Sequence, residues 1–345
     1  MEEGKLSWKL LKEITSNHGV IGEGVIQGPQ AGCDVAVFDF QLAKKRSQEF
    51  YGSDKEVYVV FKTDPITFPT PEPGRYAVII NSNDIVTSGA LPYAFNATIL
   101  VPPECTPDEV KNIQIEIHRE CLKLGITILG GHTEVSASVD TPIISGAMIG
   151  FVPKDYFISR KIGIGDVMVC VGWCAKEGVG IVISEGFDEL SKKLSREKLA
   201  KLLELGYDIS VYDIALKINK KYQPGLIHDA TEGGILGAAY ETIATEDFGL
   251  ELDSKNFPFT KETIELFQLL DVDVLRVISS GALLVVLPEN KAEELIKEST
   301  DKVPIKIVGR IVSKEKGIRL DGQLVDPPSS DAVIDALIKI EKGSF

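Results

Sequence analysis

Asp34, Asp64 and Asp84 are the residues whose types and spacing first suggest chemistry. Asp34 opens the apolar run DVAVFDF, and Asp64 closes a second run ending Lys62-Thr63-Asp64. Asn81, Asp84 and Ser88 recur at i, i+3 and i+7, so one helix face carries all three. Ile79, Ile80, Ile85 and Val86 make the same helix too apolar to lie free in solvent, and its polar stripe must meet a partner, a ligand or water. Magnesium takes one or two carboxylates and completes its shell with water and phosphate oxygens. Asp34, Asp64 and Asp84 meet that demand if a sheet and a helix bring them together; the plainer alternative is a solvated face and two strand-end aspartates. Two glycine-bearing segments add to the set. Gly130-Gly131-His132-Thr133-Glu134 lets backbone approach a ligand closely, within reach of His132 or Glu134, or is an ordinary turn. His228-Asp229-Ala230-Thr231-Glu232-Gly233-Gly234 precedes an apolar helix, whose N-terminal N–H groups suit an anion or a capping oxygen from Thr231 or Asp229.

These residues need a scaffold of alternating elements. Residues 34–40 and 56–64 have strand character, 65–74 carry four prolines and read as a turn, and 75–90 read as a helix. A strand at 94–101, a helix opened by Thr106-Pro107-Asp108-Glu109, and strands at 126–131 and 141–152 complete the first half. Strands at 166–172, 248–253, 281–288 and 304–311 alternate in the second half with helices near 176–186, 194–220, 261–270 and 289–299, and 225–244 read as a strand, a Gly-containing turn and a helix. The expectation is an α/β (α+β) protein of two domains, 1–154 and 155–345. Its 345 residues are too many for one ordinary core.

Composition narrows the function classes. The net charge of −14 gives no general attraction for nucleic acid or an anionic membrane, so a polyanionic ligand needs a local site or a metal. No apolar run approaches the roughly 18–20 residues that span a bilayer, and the charged N-terminus lacks a signal peptide's apolar stretch. A cytoplasmic protein is expected. Five scattered cysteines form no disulfide framework, and Cys170 and Cys174 read as small buried hydrophobes. Residues 22–32 are glycine-rich but have neither the dinucleotide-fold nor the P-loop spacing.

Taken in order, GCDVAV, FKTD, NSNDIVTSGALP, GGHTEV and HDATEGGILGAAYE resemble the aminoimidazole ribonucleotide synthetase (AIR synthase) superfamily over essentially the whole chain. NSNDIVTSGALP and HDATEGG look closest to its HypE (hydrogenase expression/formation) branch. The resemblance implies an enzyme using ATP and Mg2+, and a homodimer whose N-terminal sheets join into a barrel. It implies Asp34, Asp64 and Asp84 as metal ligands, and Asn81 or Asn83 as a phosphate contact. Gly130, Gly131, His132 and Thr133 would line the nucleotide site, and Asp229, Thr231 and Gly233 the second-domain end of the cleft. Asp84, His132 and Asp229 would carry the chemistry. Phosphoryl transfer needs positioning and charge neutralisation more than a protein nucleophile, which suits these residue types.

Two departures shape the expected reaction. The chain ends DALIKIEKGSF, without the Pro-Arg-Ile-Cys tail of the HypE branch, so the expected substrate is a small-molecule or otherwise protein-borne amide. His132 stands where that branch usually has Asp, although selenophosphate synthetases carry Gly-Gly-His. No cysteine lies within the N-terminal glycine-rich segment, and Cys33 just beyond it gives little support to selenophosphate synthesis. The leading expectation is activation of an amide or carbonyl oxygen by phosphorylation, with a maturation-complex partner possible in principle. The alternatives are a thiamine-monophosphate-kinase-like enzyme and a catalytically silent nucleotide-binding scaffold.

Overall fold

A computed structural model describes every residue except Ala31, Phe68, Pro69 and Ser329. The chain divides into two compact units, Met1–Phe157 and Ile158–Phe345.

The first unit is built on a five-stranded sheet in the order Gly4–Lys5, Thr127–Val135, Leu91–Val101, Ile143–Pro153, Val57–Ile66. Only the Leu91–Val101/Thr127–Val135 pair is parallel. A parallel pair needs a crossover, and the helix Pro107–Leu124 supplies it. The Thr106 hydroxyl accepts from Glu109 N while the Glu109 carboxylate accepts from Thr106 N, a capping box that starts this helix where the sequence places it. Gly125, at φ +68°, ends it.

Three sequence expectations change here. Asp64 does not end its strand, which runs on through Pro65 to Ile66. Pro65 is tolerated because this strand is the sheet edge and needs no donor on its outer side. The turn expected over 65–74 is shorter, since the next helix starts at Pro73 and Pro lacks only a donor that a first helical turn does not use; Phe68 and Pro69 lie outside the described residues. The strand expected over 34–40 shrinks to Val37–Phe38, paired only with Val25–Gln27. Val35 is 64% exposed, so the run has no core to bury itself against.

The helix Pro73–Thr87 is buried on nearly every side, Asn81, Ser82 and Asn83 included. It lies against one face of the sheet. On the other face, Val59, Phe61, Asn96 and Thr98 are exposed.

The second unit holds a seven-stranded sheet in the order Gln323–Leu324, Ile318–Leu320, Phe248–Leu252, Ile305–Ser313, Val167–Val171, Leu283–Leu287, Leu226–Asp229. Val167–Val171 and Leu283–Leu287 are buried at every position. Their unbroken apolar runs reflect cover on both faces. Cys170 and Cys174 lie within this core, with sulfurs 3.6 Å apart and both thiols free. The single helical stretch expected over 194–220 is two helices, Arg196–Tyr207 and Tyr212–Tyr222. Among the described residues no helix is long and apolar enough to cross a membrane.

Candidate functional site

Alternation along Val57–Ile66 points residues 62 and 64 to the same face of the sheet, the face covered by Pro73–Thr87. There Lys62 Nζ stands 3.0 Å from the Asp64 carboxylate and 2.9 Å from that of Asp84. Partial burial works against the Lys62 charge. The Asp84 and then Asp64 carboxylates more than offset this, holding the ammonium above its ordinary range.

Asn81 braces the cluster. It is fully buried, and its Nδ2 donates to Asp64 O (3.2 Å) and to Ala77 O (2.9 Å). Thr63 Oγ1 donates to Gly146 O on the neighbouring strand at 2.8 Å. Gly146 pairs with Asp64 in register, and a Cβ there would stand 2.3 Å from Asn81 Nδ2. Glycine at 146 is what lets the helix approach closely enough for Asn81 to reach the strand.

Asp64, Asp84 and Asn81 are therefore brought together as the sequence expects, with Lys62 among them. Asp34 is not. It lies on an exposed segment before Val37, and no group of three His, Cys, Asp or Glu capable of holding a metal forms among the described residues. The expected carboxylate trio is replaced by a carboxylate pair and a lysine. That pair nonetheless suits magnesium in kind: two hard oxygen donors already converge on a cation, the Lys62 ammonium.

The glycine pair occupies a different place. Register links Asp64, Gly146, Ala97 and Gly131 across the sheet, a span of three strand spacings or roughly 14 Å. Gly131 is needed there, since a Cβ would stand 2.4 Å from Ala97 O. Gly130 and Thr133 flank it on the same strand. His132 belongs to the next row, with Pro65, Ser145 and Thr98, and faces the opposite side of the sheet from Asp64. Its Nε2 lies 3.1 Å from Glu134 Oε2, both side chains being nearly half exposed. Register thus places Gly131 in the Asp64 row and His132 on the opposite face of the sheet. Asn83 is wholly buried in its helix, two residues from Asn81.

In the second unit, Asp229 ends its strand with 4% exposure, and the turn through Thr231 and Gly233 leads into the helix Gly234–Ala244. The anion site expected at this helix start is filled by the chain itself. Asp331 Oδ2 accepts from Gly233 N at 2.7 Å, while its Oδ1 accepts from Ile278 N (3.1 Å) and Val333 N (2.8 Å). Neither Thr231 nor Asp229 is the capping oxygen; the cap comes from about a hundred residues downstream. Burial nevertheless pushes the Asp331 carboxyl upward, against the lowering by these three donors. Beside it, Glu177 on the helix Lys176–Leu190 is 5% exposed. Burial raises its carboxyl to about 7; the neighbouring Ser280 hydroxyl favours the charged form, while Asp331, Asp229 and Glu232 oppose it.

Lys62, Glu177 and Asp331 are absent from the sequence-based set. Lys62 had a signal, the i, i+2 relation to Asp64 on a strand. Asp331 had one too, an acidic residue directly before the apolar run AVIDALI. Glu177 had only its isolation within an otherwise apolar helix start, EGVGIVI.

The family models for the AIR synthase related protein N-terminal and C-terminal domains match residues 47–152 and 164–321. The chain belongs to the AIR synthase related family. Within that family it is 28% identical over 295 residues to a Methanocaldococcus jannaschii protein named for hydrogenase expression and formation, covering 81% of this chain and 84% of that one. It is 26% identical to the carbamoyl dehydratase HypE of Escherichia coli, covering 86% of this chain and 84% of the relative. A thiamine-monophosphate kinase of Pyrococcus abyssi is 23% identical over 73% of this chain and 76% of its own length. The crystal structure of Escherichia coli HypE has the same AIR synthase related fold, with TM-score 0.75 and 20% identity over 95% of this chain and 98% of that one. Another structural neighbour is a HypE in complex with ATP, at TM-score 0.67 and 18% identity over 88% of this chain and 90% of that one.

Proposed function

We propose that this chain is an ATP- and Mg2+-dependent enzyme that activates an amide or carbonyl oxygen by phosphoryl transfer, in the manner of the HypE branch. The observation that carries this reading is the Lys62–Asp64–Asp84 cluster, held in the family's first domain by Asn81 and Gly146. Asp64 and Asp84 would hold magnesium, which when bound neutralises phosphate charge. Lys62 offers a cation for a phosphate oxygen, and Asn81 keeps the carboxylates in place. The names of the relatives support the reaction class: a carbamoyl dehydratase, a kinase acting on thiamine monophosphate, and a HypE crystallised with ATP. Residues 1–154 would form the AIR-synthase-like ATP-binding and dimerisation domain and 155–345 the AIR-synthase-like C-terminal domain.

The reading includes a homodimer. Val59 and Phe61 are 55% and 64% exposed on the edge strand, on the sheet face opposite the helix Pro73–Thr87. Large apolar side chains on an open, ten-residue edge strand invite pairing with another sheet.

Calorimetric titration with ATP, with and without magnesium, tests the nucleotide half of the proposal before the acceptor is known. Magnesium-dependent binding by the native chain, lost in Asp84→Ala, is the expected result. Binding that is indifferent to both magnesium and Asp84 would overturn it. Product analysis then separates the two reaction types: ADP with free phosphate marks activation, and a stable phosphorylated product marks a kinase.

A further inference from the structure

Lys62 differs from the two carboxylates it bridges in how it is held. Asp64 is pinned at its backbone, where Asn81 Nδ2 donates to its carbonyl at 3.2 Å and Gly146 pairs with it in register. Asp84 belongs to the helix Pro73–Thr87, an element buried on nearly every side. Lys62 instead stands on the edge strand of the sheet, and its side chain is 35% exposed. A lysine carries its ammonium on a flexible four-carbon stem. The ammonium can therefore leave the carboxylates while strand and helix stay in place.

The oxygens that hold the ammonium are also the ones a divalent metal would need. Lys62 Nζ meets Asp64 Oδ2 at 3.0 Å and Asp84 Oδ2 at 2.9 Å. Formal charge decides what can share this place. Two carboxylates and an ammonium leave a single negative charge, whereas the two carboxylates alone balance a divalent ion. An ammonium and a divalent ion on the same oxygens repel each other at close range. Lys62 and the metal are thus alternatives at this pair until the ammonium finds another anion within reach of its stem. A polyphosphate is such an anion, since lysine binds phosphate oxygens as a point charge.

We propose that Lys62 is a tethered counter-ion: it keeps free divalent metal off Asp64 and Asp84 and yields them when a polyphosphate receives its ammonium. Metal and nucleotide then enter the site together. This deepens the phosphoryl-transfer reading and rests on it. Lys62 is in this sense a positioning residue, coupling two ligands each of which favours the other. A lysine that only braced the strand against the helix would produce no such coupling.

Manganese, titrated into the full chain without nucleotide and followed by the electron paramagnetic resonance of the free ion, tests the exchange. Lys62→Met should bind manganese about five- to tenfold more tightly than the native chain, and Lys62→Arg, which keeps the charge, should stay close to native. The gain should vanish when Lys62→Met is combined with Asp84→Asn, which locates it at this pair. Equal or weaker manganese binding in Lys62→Met overturns the proposal, as does a gain that survives Asp84→Asn or is shared by Lys62→Arg. Lys62→Gln replaces the methionine variant if that one does not fold; failure of both to fold overturns the proposal, because the lysine is then structural. Calorimetry with ATP and magnesium supplies the other half. There the affinity of Lys62→Met should fall several-fold, opposite in sign to its gain for the metal alone, and an unchanged or increased affinity overturns the exchange. The two readings fail separately. Magnesium-dependent ATP binding with no manganese difference between native chain and Lys62→Met removes the exchange only. The manganese difference without any ATP binding removes the phosphoryl-transfer reading and leaves Lys62 guarding the pair.

Discussion

The two units treat their acidic residues in opposite ways. In the first, Asp64 and Asp84 are partly open to water and share a lysine at 3.0 and 2.9 Å. In the second, Glu177, Asp229 and Asp331 are almost wholly buried, and Asp331 is satisfied by backbone N–H groups rather than by a cation. The first pair of carboxylates has a cation as its partner, the Lys62 ammonium. A carboxyl buried among other acids is driven toward its neutral form, because desolvation and like charges both oppose ionisation. One cluster balances its acids with a cation, the other removes them from water and holds Asp331 by backbone donors.

Four experiments would break or sharpen this contrast. The largest effect is expected for Asp84→Ala, which removes one of the two carboxylates: turnover with magnesium ATP should fall on the order of 10²–10³-fold with the fold retained, as read from steady-state rates and circular dichroism. An unchanged rate would deny the first cluster its role.

Next in size is the pH dependence that Glu177 imposes. Its folded-state value of about 7 lies above the ordinary 4.5, so between these values the folded chain holds a proton that the unfolded chain has lost. Stability from this residue is therefore fully present below pH 4.5 and declines as pH rises toward about 7, by roughly 3 kcal/mol in all. Denaturant unfolding of the native chain at a series of pH values should show this fall, and Glu177→Gln should flatten it. Asp331, also raised by burial, contributes a slope of the same sign.

Asp331→Ala should cost roughly 2 kcal/mol by leaving Gly233 N, Ile278 N and Val333 N without their acceptor, measured as a shift in the urea midpoint. The smallest effect is expected for Lys62→Met. Because the lysine is about one-third exposed, its loss should change stability by no more than about 1 kcal/mol. It should nevertheless weaken magnesium-dependent ATP binding several-fold in calorimetric titration, because a phosphate oxygen loses its cation; an unchanged affinity would mean that Lys62 contributes no charge to the site.

Much of the fold was legible from local signals. Thr106-Pro107-Asp108-Glu109 announces its helix because Thr106 and Glu109 each satisfy a backbone donor, Pro107 removes one and Asp108 complements the helix dipole. Val167–Val171 and Leu283–Leu287 announce buried central strands by their unbroken apolar runs. Asn81 and Asp84 share a helix face through the 3.6-residue period, and the structure keeps them together. The misreadings fall where a contact distant in sequence decides. Residues 34–40 alternate like a strand but find only a three-residue partner. Pro65 reads as a strand terminator, yet it remains in the strand because that strand is an edge.

By itself the sequence determined the element types, the family motifs and the pairing of Asn81 with Asp84, because helix and strand periods are local properties of the backbone. Only the tertiary structure decided which charges meet. Register across four strands sends His132 to the face opposite Asp64 and leaves Gly131 in the Asp64 row. Folding of the second unit brings Asp331 to a helix start 98 residues away and leaves Glu177 buried beside it. Electrostatic partnership depends on distance and desolvation in space, and neither is encoded in spacing along the chain.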